Sequence, residues 1–341
     1  MRERYFVLSP SDKKDLLETA AERSGRSPHL LEKDVWVVWT LSALFRSGLG
    51  ADLTFKGGTS LSKAYKAIDR FSEDIDLTYD IRRLIGDLVE NAGEIPRNAS
   101  QAKKWTKAVR ERLPQWIEAD VLPVLSRAMS DEGIIAELSL VGEEKDSLLL
   151  SYAPMKIGTG YVAPQIRMEF GARATGEPRE AIFAECDLAA LMPDIAFPEA
   201  TPLVMKMERT FWEKATAAHV FCLQNRLRGE RFSRHWHDIA RLAQSTRLAA
   251  SLPAKEYGEL VVAHKSMFFA EKDQSGAFID YAECLRGRLK LVPADAAYEV
   301  LAEDYAKMVE DGILLQNAQD FRTLMDECAE IERRINQALA Q

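Results

Sequence analysis

Apolar positions follow two different periods along the chain, and the change between them outlines the fold. Near the N-terminus they recur at helical spacing. Ser9-Pro10 begins one predicted helix that runs to about Arg23, and Ser27-Pro28 begins a longer, apolar helix that ends at Gly48. The middle of the chain alternates instead, which predicts short strands at 53–55, around Asp74-Ile75-Asp76-Leu77, and at 134–141, 147–152, 165–172 and 181–186.

Helical periodicity then returns for the rest of the chain. Residues 82–131 are already mostly helical in pattern, and six further helices are predicted near 203–224, 233–246, 254–270, 277–289, 294–311 and 317–339. The irregular segment Asp187–Pro202 holds three prolines and suggests a domain boundary. We therefore predict an α+β protein: residues 1–200 form a mixed sheet with flanking helices, and residues 201–341 form an all-helical domain.

Composition limits the possible function classes. The 341 residues suffice for two domains, and no apolar run is long enough to cross a bilayer. The start of the chain lacks a signal peptide, so we expect a cytoplasmic protein with no membrane partner. The four cysteines are scattered, which favours reduced thiols over a zinc site. The net charge of −8 disfavours nucleic acid as a partner of the whole surface, although basic residues outnumber acidic ones about two to one from Lys206 to Arg247.

A glycine turn between the first predicted strand and a helix is the first candidate for chemistry. Gly57-Gly58-Thr59-Ser60 would offer backbone N–H groups to phosphate oxygens, although such a turn can also be purely structural. Downstream, Asp74 and Asp76 would share one face of a strand, where two carboxylates could hold a hard divalent cation. The alternative is a solvated strand edge. The combination of both features favours a metal-dependent phosphoryl- or nucleotidyl-transfer site.

Two further segments contain candidate residues. In the strand Gln165–Phe170, alternation places Glu169 on the polar face, where it could join the aspartates or pair with Arg167 or Arg173. In the helix after residue 203, Lys214 flanks the apolar stripe, which suits it to hold phosphate oxygens or to shuttle a proton. It could equally extend past the stripe into solvent. Farther on, Asp238 stands four residues after Arg234 and could form an ordinary ion pair with it.

Four segments together resemble a known family. Gly57–Lys63, Arg70–Leu77, Glu208–Thr216 and Ser233–Ile239 are similar, in this order, to the motifs of the AbiEii/AbiGii-type nucleotidyltransferase toxins. This group includes the MenT toxins and belongs to the DNA polymerase β-like nucleotidyltransferase superfamily. The resemblance implies a polymerase β-like domain in the first part of the chain. No motif of the family is recognised in residues 1–50 or 250–341.

The resemblance also implies roles for individual residues. The family would use Mg²⁺ or Mn²⁺ held by Asp74 and Asp76, with Glu169 as the third carboxylate that polymerase β-like enzymes take from a later strand. Lys214 and Asp238 would complete the catalytic residues, Asp238 either orienting Lys214 or accepting a proton. The candidates for binding the NTP are Gly57, Gly58, Thr59, Ser60, Lys63, Ser72 and Arg234.

The implied activity is transfer of a nucleotide from an NTP to RNA, such as the 3′ end of tRNA, by a toxin checked by a cognate antitoxin in phage defence. A protein or small-molecule acceptor, or an NTP-binding toxin without turnover, are the alternatives. For an RNA acceptor, the loop residues Arg226, Arg228 and Arg231 are candidate contacts.

Overall fold

A computed structural model describes residues 2–89, 95–157, 162–225, 231–249, 252, 255–310, 312–314 and 318–340. The chain forms two compact units. Unit 1 comprises Met1–Ala64, Ser72–Ala92 and Trp105–Met205, and unit 2 comprises Tyr65–Phe71, Gly93–Lys104 and Lys206–Gln341. Unit 2 thus includes two short segments from the first part of the chain, and the division at residues 200/201 stays a prediction.

The strands of the structure lie in unit 1. They are β1 (Glu3–Arg4), β2 (Leu53–Lys56), β3 (Ile75–Tyr79), β4 (Ala136–Val141), β5 (Ser147–Tyr152), β6 (Gln165–Gly171), β7 (Arg179–Ala181), β8 (Ala184–Glu185), β9 (Ile195–Ala196), β10 (Glu199–Ala200) and β11 (Leu203–Met205). Within the described residues, seven of them form one sheet in the order β4-β5-β6-β3-β2-β11-β7. The sheet is mixed, since β3 runs parallel to β6 and β2 parallel to β11, while the other neighbours are antiparallel.

Helices flank this sheet and make up most of unit 2. They are α1 (Pro10–Ser24), α2 (Pro28–Arg46), α3 (Gly57–Lys63), α4 (Ile81–Leu84), α5 (Ala99–Trp116), α6 (Leu122–Glu132), α7 (Leu188–Leu191), α8 (Met207–Gln224), α9 (Arg234–Gln244), α10 (Thr246–Ala249), α11 (Lys255–Phe268), α12 (Asp295–Glu310) and α13 (Phe321–Leu339). Together with the mixed sheet, they confirm the predicted α+β class. No helix in the described part of the chain is long and apolar enough to cross a membrane.

The local signals of the sequence explain where the first elements begin. Ser9 caps α1 by accepting a hydrogen bond from the backbone N–H of Asp12, and proline occupies the first turn of both α1 and α2. Helix α2 is buried along most of its length. In the sheet, Ile75 and Leu77 of β3 are fully buried, as the alternation predicted.

One predicted helix is wrong. The segment 277–289 contains only a short 3₁₀ helix, Tyr281–Leu285, among the described elements. Asp280 caps this turn by accepting a hydrogen bond from Ala282, and Gly287 then takes a left-handed conformation with φ of 76°. The apolar spacing suggested a full helix, but these two residues limit it to little more than one turn. The predicted helix at 203–224 also begins later, because Leu203–Met205 form β11.

Candidate active site

The glycine turn and Asp76 meet in unit 1. Gly57 begins α3 directly after β2, with φ of 76°, a left-handed conformation that favours glycine. A Cβ atom at this position would overlap the Asp76 carboxylate. Asp76 in turn lies opposite Lys56 on β2 and Glu169 on β6 in the register of the sheet. The turn is therefore glycine because a carboxylate lies against its backbone.

Glu169 belongs electrostatically to the same cluster. Partial desolvation raises the pKa of its carboxyl, and the negative charges of Asp76 and then Asp74 raise it further. This is the behaviour expected of carboxylates that share one region. The structure thus brings the three predicted metal-ligating residues close enough to influence one another.

Asp74 lies at the entry to β3. The strand begins at Ile75, one residue later than the sequence predicted, so Asp74 directly precedes it. The Asp74 carbonyl oxygen accepts a hydrogen bond from the Thr59 hydroxyl. The entry to β3 is therefore linked to α3.

The hydroxyl groups of the motif are used inside unit 1. Thr59 and Ser60 are fully buried and Ser72 is nearly so. The Thr59 hydroxyl oxygen lies 2.9 Å from that of Ser72, and the Ser60 hydroxyl donates to the Gly57 carbonyl oxygen at 2.9 Å. The contact between Thr59 and Ser72 joins the two halves of the motif, and that of Ser60 lies within the first half. Contacts from this segment to a phosphate would accordingly come from backbone N–H groups such as that of Gly58.

Lys63 has carboxylate partners that its position in the motif did not indicate. Its ammonium group pairs with Asp34 of α2 and with Asp187, at 2.5 Å from Oδ1 of Asp187. Burial opposes its charge, but the two carboxylates raise its pKa above the ordinary value. Lys63 thereby anchors the end of α3, and the function proposed below does not use it as a phosphate ligand.

The carboxylates are chemically suited to a divalent cation. Among the described residues, no group of three or more His, Cys, Asp and Glu side chains forms a ready-made metal site. Mg²⁺, however, is usually held by one or two carboxylates together with phosphate oxygens of the substrate. A cluster in which Asp76 and Asp74 raise the pKa of Glu169 fits such a shared site, because a bound cation would offset the repulsion between them.

Unit 2 contains a second cluster, built around the buried Asp238. Arg70 makes two hydrogen bonds to its carboxylate, Nε to Oδ1 at 2.7 Å and a terminal nitrogen to Oδ2 at 2.8 Å. The Lys214 ammonium lies 2.9 Å from Oδ2. Burial opposes the charge of Asp238, yet both cations outweigh it and hold the pKa of this carboxyl well below its usual range. We call Arg70, Lys214 and Asp238 the buried triad.

Two histidines beside the triad are uncharged. Burial lowers the pKa of His235 to about 3 and that of His237 to about 4. They therefore add no positive charge at neutral pH. Arg234, proposed to bind the nucleotide, is the first residue of α9. Asp238, considered from the sequence as an ion-pair partner of Arg234, pairs with Arg70 and Lys214. Of the loop arginines, Arg231 is described, whereas Arg226 and Arg228 lie outside the described residues.

Two residues of these clusters were missed by sequence reasoning. Arg70 was read only as part of a motif, and Asp34 was not singled out, nor was its neighbour Lys33, whose ammonium group pairs with Glu73. The signal was present in α2, where Glu32-Lys33-Asp34 interrupts an otherwise apolar helix. Charged residues inside an apolar run are stable only with partners, so they should have been read as buried ion pairs.

The mixed sheet and the carboxylates beside the glycine turn are the features expected of a nucleotidyltransferase. A sequence model of the family described as "Nucleotidyl transferase AbiEii toxin, Type IV TA system" matches residues 39–327. The chain belongs to this family, which confirms the resemblance found in its four motifs.

Two other comparisons add less. No curated protein matches the chain. Among solved structures, it is similar to MenT4, a nucleotidyltransferase toxin from Mycobacterium tuberculosis H37Rv, at 17% sequence identity over 98% of each chain, with a TM-score of 0.43.

Proposed function

We propose that this nucleotidyltransferase transfers a nucleoside monophosphate from an NTP to a hydroxyl group of RNA, with the 3′ end of tRNA as the first candidate. We further propose that the reaction depends on Mg²⁺ or Mn²⁺. The observation that supports it most is the position of Asp76, which lies against Gly57 and in register with Glu169. A carboxylate cluster beside a phosphate-binding type of turn is what such a transfer requires.

The reaction replaces a phosphoanhydride bond of the NTP by a phosphodiester bond to the acceptor. The acceptor hydroxyl oxygen forms a bond to the α-phosphorus of the NTP, and the bond from that phosphorus to the bridging oxygen breaks. Pyrophosphate leaves with the electron pair, and the hydroxyl proton passes to solvent. The protein forms no covalent bond, so it contributes by positioning the reactants and stabilising charge.

Asp76 and Glu169, with Asp74 beside them, would hold the divalent cation. When bound, the cation would neutralise charge on the phosphate oxygens. The protein's own part is to hold these carboxylates in place, which it does through the sheet register and through the hydrogen bond from Thr59 to the Asp74 carbonyl oxygen.

The triad of unit 2 favours one of the two roles considered for Asp238. A carboxyl whose pKa lies far below its usual range is a poor proton acceptor. Asp238 instead fixes the position of the Lys214 ammonium, 2.9 Å away. We propose that Lys214 stabilises negative charge on the phosphates and that Asp238 is a positioning residue.

The RNA acceptor and phage defence are proposed from the family alone. The basic excess after Lys206 supports them little, because several of its members are paired. Arg209 lies near Glu213, and Arg241 bonds Glu327. Membership in a type IV toxin–antitoxin family implies a cognate antitoxin.

The test is to incubate the protein with each α-³²P-labelled NTP in turn, together with total RNA and total protein from cells. We expect label in RNA, in the size range of tRNA, and none without a divalent cation. Asp76→Asn should abolish labelling. The matched control is Asp52→Asn, which makes the same chemical change directly before the N-terminal end of β2, whereas Gly57 follows the C-terminal end. This variant should label normally.

Other outcomes are decisive as well. Label that appears in protein or in a small molecule would overturn the RNA acceptor but keep the transferase. Normal labelling by Asp76→Asn would overturn the carboxylate site itself.

A further inference from the structure

We propose that Lys33 and Asp34, adjacent residues of α2, are positioning residues that hold the two halves of the nucleotidyltransferase motif in place. The inference rests on the proposed function of that motif. It identifies residues outside the four recognised motifs that the reaction needs, and it predicts a separate effect for each of them.

Burial makes these charges costly unless they are paired. Lys33 and Asp34 retain 3% and 1% of their accessible surface, although both are charged and stand inside an apolar helix. A buried charge without a partner is strongly unfavourable. The partners of Lys33 and Asp34 therefore show which segments of the chain α2 holds in place.

Lys33 holds the second half of the motif. Its ammonium group donates a hydrogen bond of 2.6 Å to Oε2 of Glu73 and one of 2.9 Å to the carbonyl oxygen of Ala163. Both charged side chains of the Lys33–Glu73 pair are almost fully buried. Glu73 directly precedes Asp74, and β3, which contains Asp76, begins at the next residue, Ile75. The ion pair thus fixes the entry to the strand.

Asp34 holds the first half. One of its carboxylate oxygens pairs with the Lys63 ammonium, and the other accepts the backbone N–H of Asp187 at 2.7 Å. Lys63 is the last residue of α3, the helix that Gly57 begins. Asp34 therefore anchors the far end of the helix whose first turn lies against Asp76.

The course of the chain explains why such anchors are needed. Unit 1 includes the chain up to Ala64 and again from Ser72, while Tyr65–Phe71 belongs to unit 2. The seven residues that connect the two halves of the motif therefore lie outside unit 1, so contacts within unit 1 must hold the halves relative to each other. Lys33 and Asp34, adjacent on one turn of α2, bind one half each and so hold both halves to the same helix.

Hydrogen exchange on the full-length protein tests this without relying on activity. Lys33→Met should speed amide exchange in residues 72–78 and leave residues 57–63 unchanged, and Asp34→Asn should do the reverse. The control is Leu44→Ala, a truncation of a fully buried side chain near the other end of α2. It destabilises the helix but should leave both segments as in the wild type. Equal effects of all three variants on both segments would overturn the proposal.

A double variant separates positioning from simple charge compensation. Lys33→Met combined with Glu73→Met removes both buried charges, so it should recover most of the stability that Lys33→Met alone loses. If Lys33 positions the strand entry, kcat at saturating NTP should stay reduced, by roughly tenfold to a hundredfold, because small displacements of reacting groups are costly. Recovery of kcat together with stability would overturn the positioning role. If the wild type shows no transfer at all, the proposed function fails, and the exchange data still decide the anchoring.

Discussion

The buried triad of unit 2 makes a quantitative prediction: Asp238→Asn should cost much more stability than Lys214→Met, whereas Lys214→Met should act mainly on kcat. Asp238 has no accessible surface, and its two oxygens serve Arg70 twice and Lys214 once. Asparagine has nearly the same shape but no charge. The substitution would leave two cations close together, with only one amide oxygen to accept from them.

The expected cost follows from that imbalance. Removing one partner of a buried ion pair typically costs about 3–5 kcal/mol, because the remaining charge stays in a poorly solvated place. For a unit of this size, such a loss corresponds to a fall in Tm of roughly 6–20 °C. Lys214→Met should cost only about 1 kcal/mol or less, since Asp238 keeps both hydrogen bonds from Arg70. Its kcat, however, should fall by about 10²–10³-fold if Lys214 stabilises charge in the transition state.

The pH dependence gives an independent check with a defined sign. The pKa of Asp238 is lowered in the folded protein, so its stabilising contribution is present above its unfolded pKa, near 3.9, and is lost as pH falls. The difference in unfolding free energy between the wild type and Asp238→Asn should therefore be constant above about pH 5 and shrink below about pH 4.

The assay is urea denaturation of the wild type and both variants across this pH range, with labelling activity measured at a temperature where all three are folded. Equal destabilisation by Lys214→Met and Asp238→Asn would refute the reasoning, because it would mean that Arg70 alone does not satisfy Asp238. A cost of Asp238→Asn below about 1 kcal/mol would refute the buried charge imbalance.

Three further predictions concern the rest of the site. Gly57→Ala should lower kcat/KM by about tenfold or more, since its Cβ would displace the Asp76 carboxylate and the left-handed φ disfavours alanine; unchanged kinetics would contradict that contact. Glu169→Gln should stabilise the protein in EDTA, with a gain in Tm that appears only as pH rises through the raised pKa of Glu169. Below about 4.5 both folded and unfolded carboxyls are protonated, so a gain of equal size at all pH values would show another cause. The double variant Lys214→Ala with Asp238→Ala should lose little more activity than the more damaging single variant, because the two act as a unit; fully multiplicative losses in kcat would indicate separate roles.

Local signals explain why much of the fold could be predicted. The Ser9 cap of α1, the proline in the first turn of α2 and the alternation in Gln165–Phe170 depend on neighbouring residues, and the structure confirms all three. Periodicity was misleading in the segment 277–289, where the cap at Asp280 delays the start of the helix and the left-handed Gly287 follows its early end. It also placed the start of β3 one residue too early, at Asp74.

The partners of charged residues could not be predicted in this way. Arg70 and Asp238 are 168 residues apart in the chain, and Lys63 and Asp187 are 124 apart. Periodicity reports which face of an element is buried but not which distant group meets it there. The four motifs predict which residues take part in the reaction, whereas the pairing of Lys63 with Asp34 and Asp187 and of Asp238 with Arg70 emerged only from the fold.

The segment Arg70–Asp74 illustrates the general reason. With three charged residues in five, it would ordinarily be read as an exposed loop. Arg70 and Glu73 are instead buried, each against a partner of opposite charge, Asp238 in unit 2 and Lys33 in unit 1. The charges therefore specify position: Arg70 fits only where a carboxylate is buried and Glu73 only where an ammonium is. A uniformly apolar segment could also be buried, but nothing would then fix which residue lies where. Because Asp74 directly follows Glu73, the constraint on Glu73 also fixes the position of Asp74.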